Sequence, residues 1–461
     1  MAEAVSDTTL TRSQRLDRLP FTRKHARLLV GSGLGWALDA MDVGLISFVM
    51  AALAGQWKLD STTLSWIGSI GFVGMAIGAS LGGLLADRIG RRQVFALTLL
   101  VYGVATGASA LVTSVGMLIV LRFIVGIGLG AELPVASTLV SEYAPKAIRG
   151  RVVVALEAFW AIGWILAALI GYLVVPSSPD GWRWALAVGV IPTAYAAAIR
   201  WGLPESVRFL ESKGRVEQAE AAVRDFEQAA GVEPVPSPDA PVAKAAGTDS
   251  IWSPAYRART IALWTVWFCI NLSYYGAFIW IPTLLVQRGF PLVRSFEFTL
   301  IITLAQLPGY AAAAWLIEKW GRRLTLSVFL AGSAFAAAAF GFATTEVLIV
   351  MTGCALSFFN LGAWGALYAV GPELYPTAVR GKGTGAAAAF GRIASMIAPL
   401  SVPLLLGAGG MVLVFGVFGG GVSARRRCGS VLARACRAGT RELGKASRCS
   451  RASHTLGTGC M

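Results

Sequence analysis

Long apolar runs, separated by short polar and basic stretches, dominate the chain from residue 28 to residue 406. Most of these runs reach the ~20 residues that an α-helix needs to cross a bilayer. They lack the polar face that a helix on the surface of a soluble protein shows. The pattern therefore predicts eleven membrane-spanning helices, at 28–53, 62–86, 93–112, 116–140, 152–174, 182–203, 258–286, 297–317, 324–343, 346–371 and 383–406.

The polar stretches between the runs occur twice. Residues 87–92 (Asp-Arg-Ile-Gly-Arg-Arg) return as residues 318–323 (Glu-Lys-Trp-Gly-Arg-Arg), at an offset of 231 (318 − 87). The same offset relates a second set of residues, Glu142, Pro145, Arg149 and Gly150 with Glu373, Pro376, Arg380 and Gly381. Parallel copies of a multi-helix membrane unit are typical of secondary transporters. We expect an all-α integral membrane protein made of two parallel six-helix repeats.

Composition and charge agree with this fold class. The chain is 56% hydrophobic and 14% charged, whereas soluble domains carry about 25% charged residues. Lys and Arg concentrate in alternate loops, which by the positive-inside rule places the N-terminus in the cytoplasm. They form no single basic patch, so the net charge of +15 does not indicate nucleic-acid binding. We expect a multi-pass protein of the cytoplasmic (inner) membrane, in contact with the lipid bilayer and monomeric.

Five segments follow from these patterns. They are a cytoplasmic N-terminal segment (1–27), a six-helix bundle (28–203), a cytoplasmic helix and linker (204–257), a second helix bundle (258–422) and a basic tail (423–461). The stretch from Glu205 to Gln228 reads as helical, and the Pro-rich stretch after it as a linker.

The twelfth span begins near Gly410 and stops after about 13 apolar residues, fewer than a span needs, so the last helix reads as incomplete. The tail beyond it turns abruptly basic and holds four of the six Cys. We interpret this as a reading-frame slip near residues 415–422, with a native basic tail as the alternative.

The chain has no phosphate-binding loop, so ATP is not the expected energy source. Its two His, His25 and His454, have no metal-ligand neighbours. The glycines at 126, 128 and 130 lie inside a predicted span, where they favour close helix packing over nucleotide binding. We therefore expect no enzymatic activity, no cofactor and no metal.

Three motifs resemble those of the major facilitator superfamily. Residues 83–92 look like its loop signature between helices 2 and 3, residues 122–130 resemble the helix 4 motif of its sugar-porter-like members, and residues 203–210 resemble their Pro-Glu-Ser-x-Arg motif after helix 6. The resemblance covers roughly residues 20–415 and implies the twelve-helix fold of that superfamily. Residues 39–44 and 157–160 look most like its nicotinate (niacin) and aromatic-acid transporter branches.

Charged residues in the loops predict a conformational latch between the two halves. Carboxylates at such loops can pair with Arg or cap a helix N-terminus. The alternative is that they only fix topology, to which acidic residues contribute little. The predicted latch residues are Asp87, Arg91, Glu142, Arg149, Glu318, Arg322, Glu373 and Arg380.

Ionisable residues inside the spans are costly, so they usually face a cavity and have a partner. Four acids and two Arg occur there: Asp39, Asp42, Arg122, Glu132, Glu157 and Arg392. Burial favours the neutral form of a carboxyl group, so one or more of the acids should bind a proton readily. The resemblance implies that Asp42 and Arg122 form a proton-coupling pair, with Asp39 and Glu132 as further candidates. Some of these residues would, alternatively, only tie helices together.

Aromatic and Asn residues recur on one face of several spans, and the helix that carries Asn271 is expected to break at Pro282. Such stripes often serve packing alone, but the interleaved Asn and Arg392 favour a cavity for a flat polar ring, because a guanidinium binds a carboxylate bidentately. The resemblance implies that Glu157 stands at a position where sugar porters have a sugar-binding Gln, and this departure weakens a sugar assignment. The predicted substrate-binding residues are Glu157, Trp160, Trp164, Asn271, Tyr274, Tyr275, Asn360, Trp364, Tyr368 and Arg392.

The sequence thus predicts a secondary transporter that carries a small organic solute together with protons, most simply an aromatic or heteroaromatic carboxylate such as nicotinate or a benzoate derivative. A sugar or other organic-acid symporter remains open, as does a proton-driven efflux antiporter. A product inactivated by the aberrant C-terminus is a further alternative.

Overall fold

The computed structural model describes residues 10–237, 250–254, 256–375 and 377–423. Within these ranges the chain is helical, without strands. Sixteen α-helices follow one another: α1 (Arg12–Asp17), α2 (Arg23–Gln56), α3 (Ser61–Ile89), α4 (Arg91–Ser109), α5 (Val115–Tyr143), α6 (Arg149–Leu173), α7 (Gly181–Ala187), α8 (Ile191–Gly202), α9 (Val207–Ser212), α10 (Val216–Ala230), α11 (Arg257–Gln287), α12 (Leu292–Leu304), α13 (Gln306–Trp320), α14 (Arg322–Phe342), α15 (Glu346–Val370) and α16 (Thr377–Ser423).

The predicted membrane spans are present as helices. Ten helical stretches of the described residues are long and apolar enough to cross a membrane, and the predicted span at 93–112 corresponds to the 19-residue helix α4. The sixth and eighth spans are each made of two helices in line, α7 with α8 and α12 with α13. The predicted all-α membrane fold is confirmed.

Glycines allow the helices of the first half to pack closely. A Cβ on Gly78 would lie 2.1 Å from the carbonyl oxygen of Ile127, and one on Gly126 would lie 2.0 Å from that of Gly71. Any side chain at these positions would force α3 and α5 apart. The glycines of residues 126–130 therefore serve helix packing, as the sequence indicated.

Two local predictions need correction. The predicted break at Pro282 is absent, because α11 continues through this residue to Gln287. Neighbouring helices can stabilise a proline inside a membrane helix. The helix predicted from Glu205 to Gln228 is two helices, α9 and α10, separated at Gly214, whose φ of +70° favours glycine.

The final apolar stretch is helical as far as it is described. Helix α16 is interrupted at Gly409 and Gly410, which have non-helical backbone angles, and residues 411–423 form a separate short segment. Phe415 and Phe418 of this segment are buried, and Phe418 lies against Gly276 of α11. The predicted slip region thus contributes side chains to the core up to Phe418. The rest of the predicted tail, 424–461, lies outside the described residues.

A polar assembly covers one end of the bundle, which we call the basic end (residues 87–92, 142–151, 204–230 and 318–323). Helix α1 docks there on α10 through the buried guanidinium of Arg15, which donates to Glu227 Oε2 at 2.6 Å and to Glu220 Oε1 at 2.8 Å. Arg12 and Arg18 add ion pairs to Glu220 and Glu227, at 3.1 and 3.3 Å. These contacts tie the start of the chain to the segment that follows the first six spans.

Candidate substrate cavity and coupling charges

A cavity lies between the two halves of the bundle. The unfilled space there is about 340 Å³, a figure that includes the part open to solvent. Helices α2, α6, α11, α15 and α16 provide its walls. The lining residues are Trp36, Trp160, Trp267, Asn271, Tyr275, Trp364, Tyr368, Ala388 and Arg392.

The cavity wall is aromatic and rigidly packed. The Trp36 and Trp160 rings are 4.8 Å apart, and Trp267 lies 6.0 Å from Trp364 and 5.2 Å from Tyr368. Such offset and edge-to-face arrangements are those that aromatic rings prefer. The walls therefore present ring faces and edges from both halves of the protein.

Arg392 is the cationic group of the cavity lining. It forms no ion pair with any carboxylate of the described chain, and its Nη1 atom has only the weak acceptor Sδ of Met75 at 4.0 Å. Asn271 is the uncharged polar counterpart: its amide donates to the carbonyl of Trp267 at 2.8 Å and its Oδ1 accepts from Ser395 at 2.9 Å. The lining thus combines a guanidinium without an ion pair and an amide whose hydrogen bonds are made within the protein.

Six of the ten residues predicted to bind substrate line this cavity. The other four, Glu157, Trp164, Tyr274 and Asn360, are not part of the lining. Trp164 and Tyr274 pack behind it, and Tyr274 accepts a hydrogen bond from Trp160 Nε1 at 3.0 Å. Asn360 lies outside the lining, because its amide donates to Ser273 and Ser333 at 3.0 and 3.2 Å and so joins α15 to α11 and α14. Glu157 is buried beside Trp36 and Tyr368.

Two lining tryptophans were missed by the sequence reasoning. Trp36 precedes Asp39 by three residues on α2, and Trp267 precedes Asn271 by four on α11. Both tryptophans could have been found from this spacing, because residues three or four apart lie on the same face of a helix. Asp39 and Asn271 had already been assigned to the interior.

The predicted coupling pair is in direct contact inside the first half. Arg122 Nη2 of α5 lies 3.1 Å from Asp42 Oδ1 of α2, and both side chains are buried. The Thr106 hydroxyl of α4 donates to the same carboxylate oxygen and accepts from Arg122 Nη2 at 3.1 Å. A second cavity, with about 310 Å³ of unfilled space, adjoins this pair. Met75 lines it and also contacts Arg392, so that it stands between the two cavities.

Asp39 and Glu132 form a second buried group, which consists of two acids and not of an acid with a cation. Their carboxyl groups face each other between α2 and α5, beside the Tyr102 hydroxyl. Both side chains are 0% exposed, and neither has a cationic partner within the described residues. Two carboxylates this close cannot both ionise without a large energetic cost.

The loop charges form ion pairs mostly within their own half. Glu205 accepts from the backbone N–H groups of Arg91 and Arg92 at 2.9 and 3.1 Å, at the point where Gly90 has φ +105°. Asp87 pairs with Arg91 at 3.0 Å. The other predicted latch residues form these contacts: Glu142 with Ser206, Arg149 with Asp17, Arg322 with Glu373, and Glu318 with Arg151. The side chain of Arg380 lies outside the described residues.

The two halves touch at both ends of the bundle. At the basic end, Arg151 and Glu318 pair across the halves at 3.2 Å and are 79% and 68% exposed. At the opposite end, Phe48 and Phe296 are fully buried with ring centroids 5.0 Å apart. The halves are thus joined by buried aromatic packing at one end and, among other contacts, by an exposed ion pair at the other.

Within the described residues, no cluster of three or more His, Cys, Asp or Glu is arranged to hold a metal ion.

Comparison with known proteins identifies the family. The family described as "Sugar (and other) transporter" matches residues 27–424. The chain is 47% identical to the niacin transporter NiaP of Acinetobacter baylyi over 394 residues, which are 84% of this chain and 89% of that protein. It is 48% identical over 379 residues to the putative niacin/nicotinamide transporter NiaP of Bacillus subtilis, covering 82% and 88% of the two chains.

The fold is shared with solved transporters. The proton:xylose symporter XylE of the major facilitator superfamily superposes with a TM-score of 0.69 at 19% identity, over 89% of this chain and 96% of that one. With the multi-span helical fold, the match to the family over most of the chain leads to one assignment. The chain belongs to the family of sugar and other transporters in the major facilitator superfamily, and it is a multi-pass membrane transporter of small organic solutes, not an enzyme.

Proposed function

We propose that the protein carries a monocarboxylated aromatic or heteroaromatic ring, such as nicotinate or a benzoate derivative, together with a proton. Transport crosses the cytoplasmic (inner) membrane by alternating access, with the N-terminus in the cytoplasm and the protein acting as a monomer. The observation that carries this proposal is a guanidinium without an ion pair, Arg392, in a cavity walled by tryptophans.

The guanidinium favours an anion. An intramembrane charge normally has a partner, and Arg392 has no carboxylate in contact within the described residues. A carboxylate from the substrate would complete this interaction with two parallel hydrogen bonds, which a guanidinium makes and a hydroxyl-rich neutral sugar does not reproduce.

The tryptophans favour a flat ring. Trp36 and Trp160 come from the first half, and Trp267 and Trp364 from the second. A ring between them would contact both halves at once, so that binding is linked to their relative movement. The names of two relatives, a niacin transporter and a putative niacin/nicotinamide transporter, support a pyridine ring as the substrate core.

Proton coupling is assigned to the acids of the first half. Asp42 is paired with Arg122, and protonation of its carboxylate would release the guanidinium and loosen the contact between α2 and α5. The facing acids Asp39 and Glu132 can hold a proton next to this pair. Met75 lies between this region and Arg392, which gives the substrate cavity and the coupling pair a common neighbour.

Uptake into proteoliposomes tests the proposal. With an inward proton gradient, labelled nicotinate should accumulate, unlabelled benzoate should compete, and hexoses should not. Arg392→Lys keeps the charge but loses the planar fork, so we expect at least a tenfold loss of affinity, about 1.4 kcal/mol. Arg200→Lys, at an exposed arginine of α8, is the matched control and should behave as wild type.

The same vesicles separate the alternatives. Competition by hexoses without competition by nicotinate or benzoate would overturn the anion assignment in favour of a sugar. Efflux of preloaded nicotinate driven by an opposite proton flow would instead identify an antiporter.

A further inference from the structure

The ionisable groups inside the bundle fall into three sets. Asp42 is neutralised by Arg122 at 3.1 Å, and Asp39 faces Glu132. Glu157 and Arg392 remain. They come from opposite halves, α6 and α16: Arg392 lines the substrate cavity, and Glu157 is buried one helical turn before the lining residue Trp160.

Glu157 and Arg392 interact without touching. Glu157 is 1% exposed and interacts electrostatically with Arg392. The two side chains nevertheless form no ion pair within 4.0 Å. Glu157 Oε1 has no hydrogen-bond partner in the described structure. A buried acid beside the cavity and a cation in the cavity lining therefore interact without forming an ion pair.

Arg392 is the charged side chain among the groups facing Glu157. Trp36 of α2 and Tyr368 of α15 lie beside the carboxylate, and Tyr275 of α11 and Tyr310 of α13 interact with it electrostatically. All four are uncharged at neutral pH. No second cation within the described residues is thus available to compensate an additional negative charge there.

We infer that Glu157 couples substrate binding to proton uptake within the cavity itself. Where the pH leaves Glu157 ionised in the empty protein, its carboxylate balances Arg392. When the substrate carboxylate binds to Arg392, two negative charges face one positive charge, which a low-dielectric site disfavours strongly. Glu157 then takes a proton from water onto one carboxylate oxygen. No covalent bond of the substrate changes, and one anion and one proton enter the site together. The inference rests on the proposed function, since it needs an anionic substrate.

Two consequences distinguish this arrangement from a simple anion site. Binding of nicotinate should weaken as the pH rises, by about tenfold per pH unit once the empty protein holds Glu157 ionised, because each bound anion requires one proton. Nicotinamide, which has the same ring and no charge, should bind without taking up a proton.

The experiment is a proton count on the purified full-length protein in weakly buffered detergent. Nicotinate is added while a pH indicator and a binding assay are followed together, between pH 5 and pH 9. Wild type should take up about one proton per nicotinate in the range where its affinity falls with pH. Glu157→Gln should take up none, bind with a pH-independent affinity, and exceed wild type in affinity at the alkaline end. Glu346→Gln, at an exposed glutamate of α15, is the matched control and should follow wild type.

The outcomes separate the two proposals. Nicotinate binding by wild type without proton uptake, or unchanged proton uptake in Glu157→Gln, would overturn the role of Glu157 and leave the proposed substrate standing. Absence of binding of both nicotinate and benzoate to wild type would contradict the proposed function and the inference with it. Glu157→Asp provides a second variant, in which the acid is kept but withdrawn by one methylene. It should retain proton uptake with a displaced pH profile, and a profile superimposable on wild type would also count against Glu157.

Discussion

Nη2 of Arg122 lies 3.1 Å from Oδ1 of Asp42, with both side chains buried between α2, α4 and α5. The Thr106 hydroxyl bridges the two charges. Removing one partner of a buried ion pair leaves an uncompensated charge and typically costs about 3–5 kcal/mol. The pair therefore contributes to the packing of three helices.

Asp42→Asn should abolish uphill accumulation of nicotinate and leave counterflow between equal concentrations, because the amide can keep the hydrogen bond to Thr106 but cannot carry a proton. Accumulation ratios in proteoliposomes measure the first effect, and exchange of labelled for unlabelled substrate measures the second.

Asp180→Asn is the control for that experiment, since Asp180 is an exposed loop residue paired only with Arg183 of the next turn. A variant with Asn at position 42 that still concentrates substrate would move the coupling role to the other buried acids, Asp39, Glu132 and Glu157.

Asp39 and Glu132 should behave as one unit. Because their carboxyl groups face each other without an ion-pair partner among the described residues, neutralising either one removes the repulsion that forces them to share a proton. We expect Asp39→Asn and Glu132→Gln to change the pH dependence of uptake in the same direction. The double variant should resemble each single one, with a coupling energy above about 0.5 kcal/mol in a double-mutant cycle. Additive effects on the transport rate would show that the two acids act independently.

The spans were predictable because they rest on a length requirement and on the absence of charge, both of which are local properties. The positions of Ser61, Arg257 and Phe342, where helices begin or end, differ from the predicted limits by one residue. The continuation of α11 through Pro282 was not predictable, since it depends on neighbouring helices that share the cost of the missing hydrogen bond.

The site was predictable only in part for the same reason. Arg392 could be predicted to line the cavity because it is a charged residue inside a span. Trp364 could be predicted because it belongs to a regular aromatic repeat. Asn360 carries the same marks but donates to Ser273 and Ser333 on two other helices, and nothing in the sequence ties these positions together. Apart from its spacing to Asp39, Trp36 has no sequence feature that separates it from a hydrophobic core residue.

Trp36→Leu should weaken nicotinate binding more than it weakens folding. The Trp36 ring lines the cavity and packs 4.8 Å from Trp160, and an aromatic pair contributes about 0.5–1.5 kcal/mol beyond its buried area. We expect an increase in KM of roughly 3- to 30-fold, with kcat changed less. Trp201→Leu, at a tryptophan that is 79% exposed on α8, is the matched control. Equal effects of the two substitutions on KM would remove Trp36 from the binding site.

Arg151 and Glu318 should set the balance between open and closed forms at the basic end. Their ion pair joins the two halves but is exposed, so it contributes about 0–1 kcal/mol. Arg151→Glu should widen the distance distribution between spin labels placed on the two halves at this end.

The double exchange Arg151→Glu with Glu318→Arg should narrow the distance distribution again, and 1 M salt should reduce both effects. The same exchange at Arg294 and Glu297, an exposed pair within one helix, should leave the distances unchanged. Failure of the double exchange to restore the wild-type distribution would mean that the contact is incidental.

The docking of α1 on α10 should make stability depend on pH through Glu220. Burial acts to raise the pKa of this carboxyl, but hydrogen bonds from Arg15 and Arg224 outweigh it, so its pKa in the folded protein lies below the ordinary value. A lowered pKa means that the stabilisation is fully present above the unfolded pKa of about 4.3 and is lost as the pH falls through the folded pKa.

Glu220→Gln should therefore reduce stability by about 1 kcal/mol at pH 7, and the difference in stability from wild type should shrink as the pH falls below about 4.3. Thermal unfolding of the purified protein across that range measures it, with Glu217→Gln, an exposed residue of the same helix, as the control. A difference between Glu220→Gln and wild type that stays constant from pH 7 down to acid would show that the carboxylate charge does not hold α1 in place.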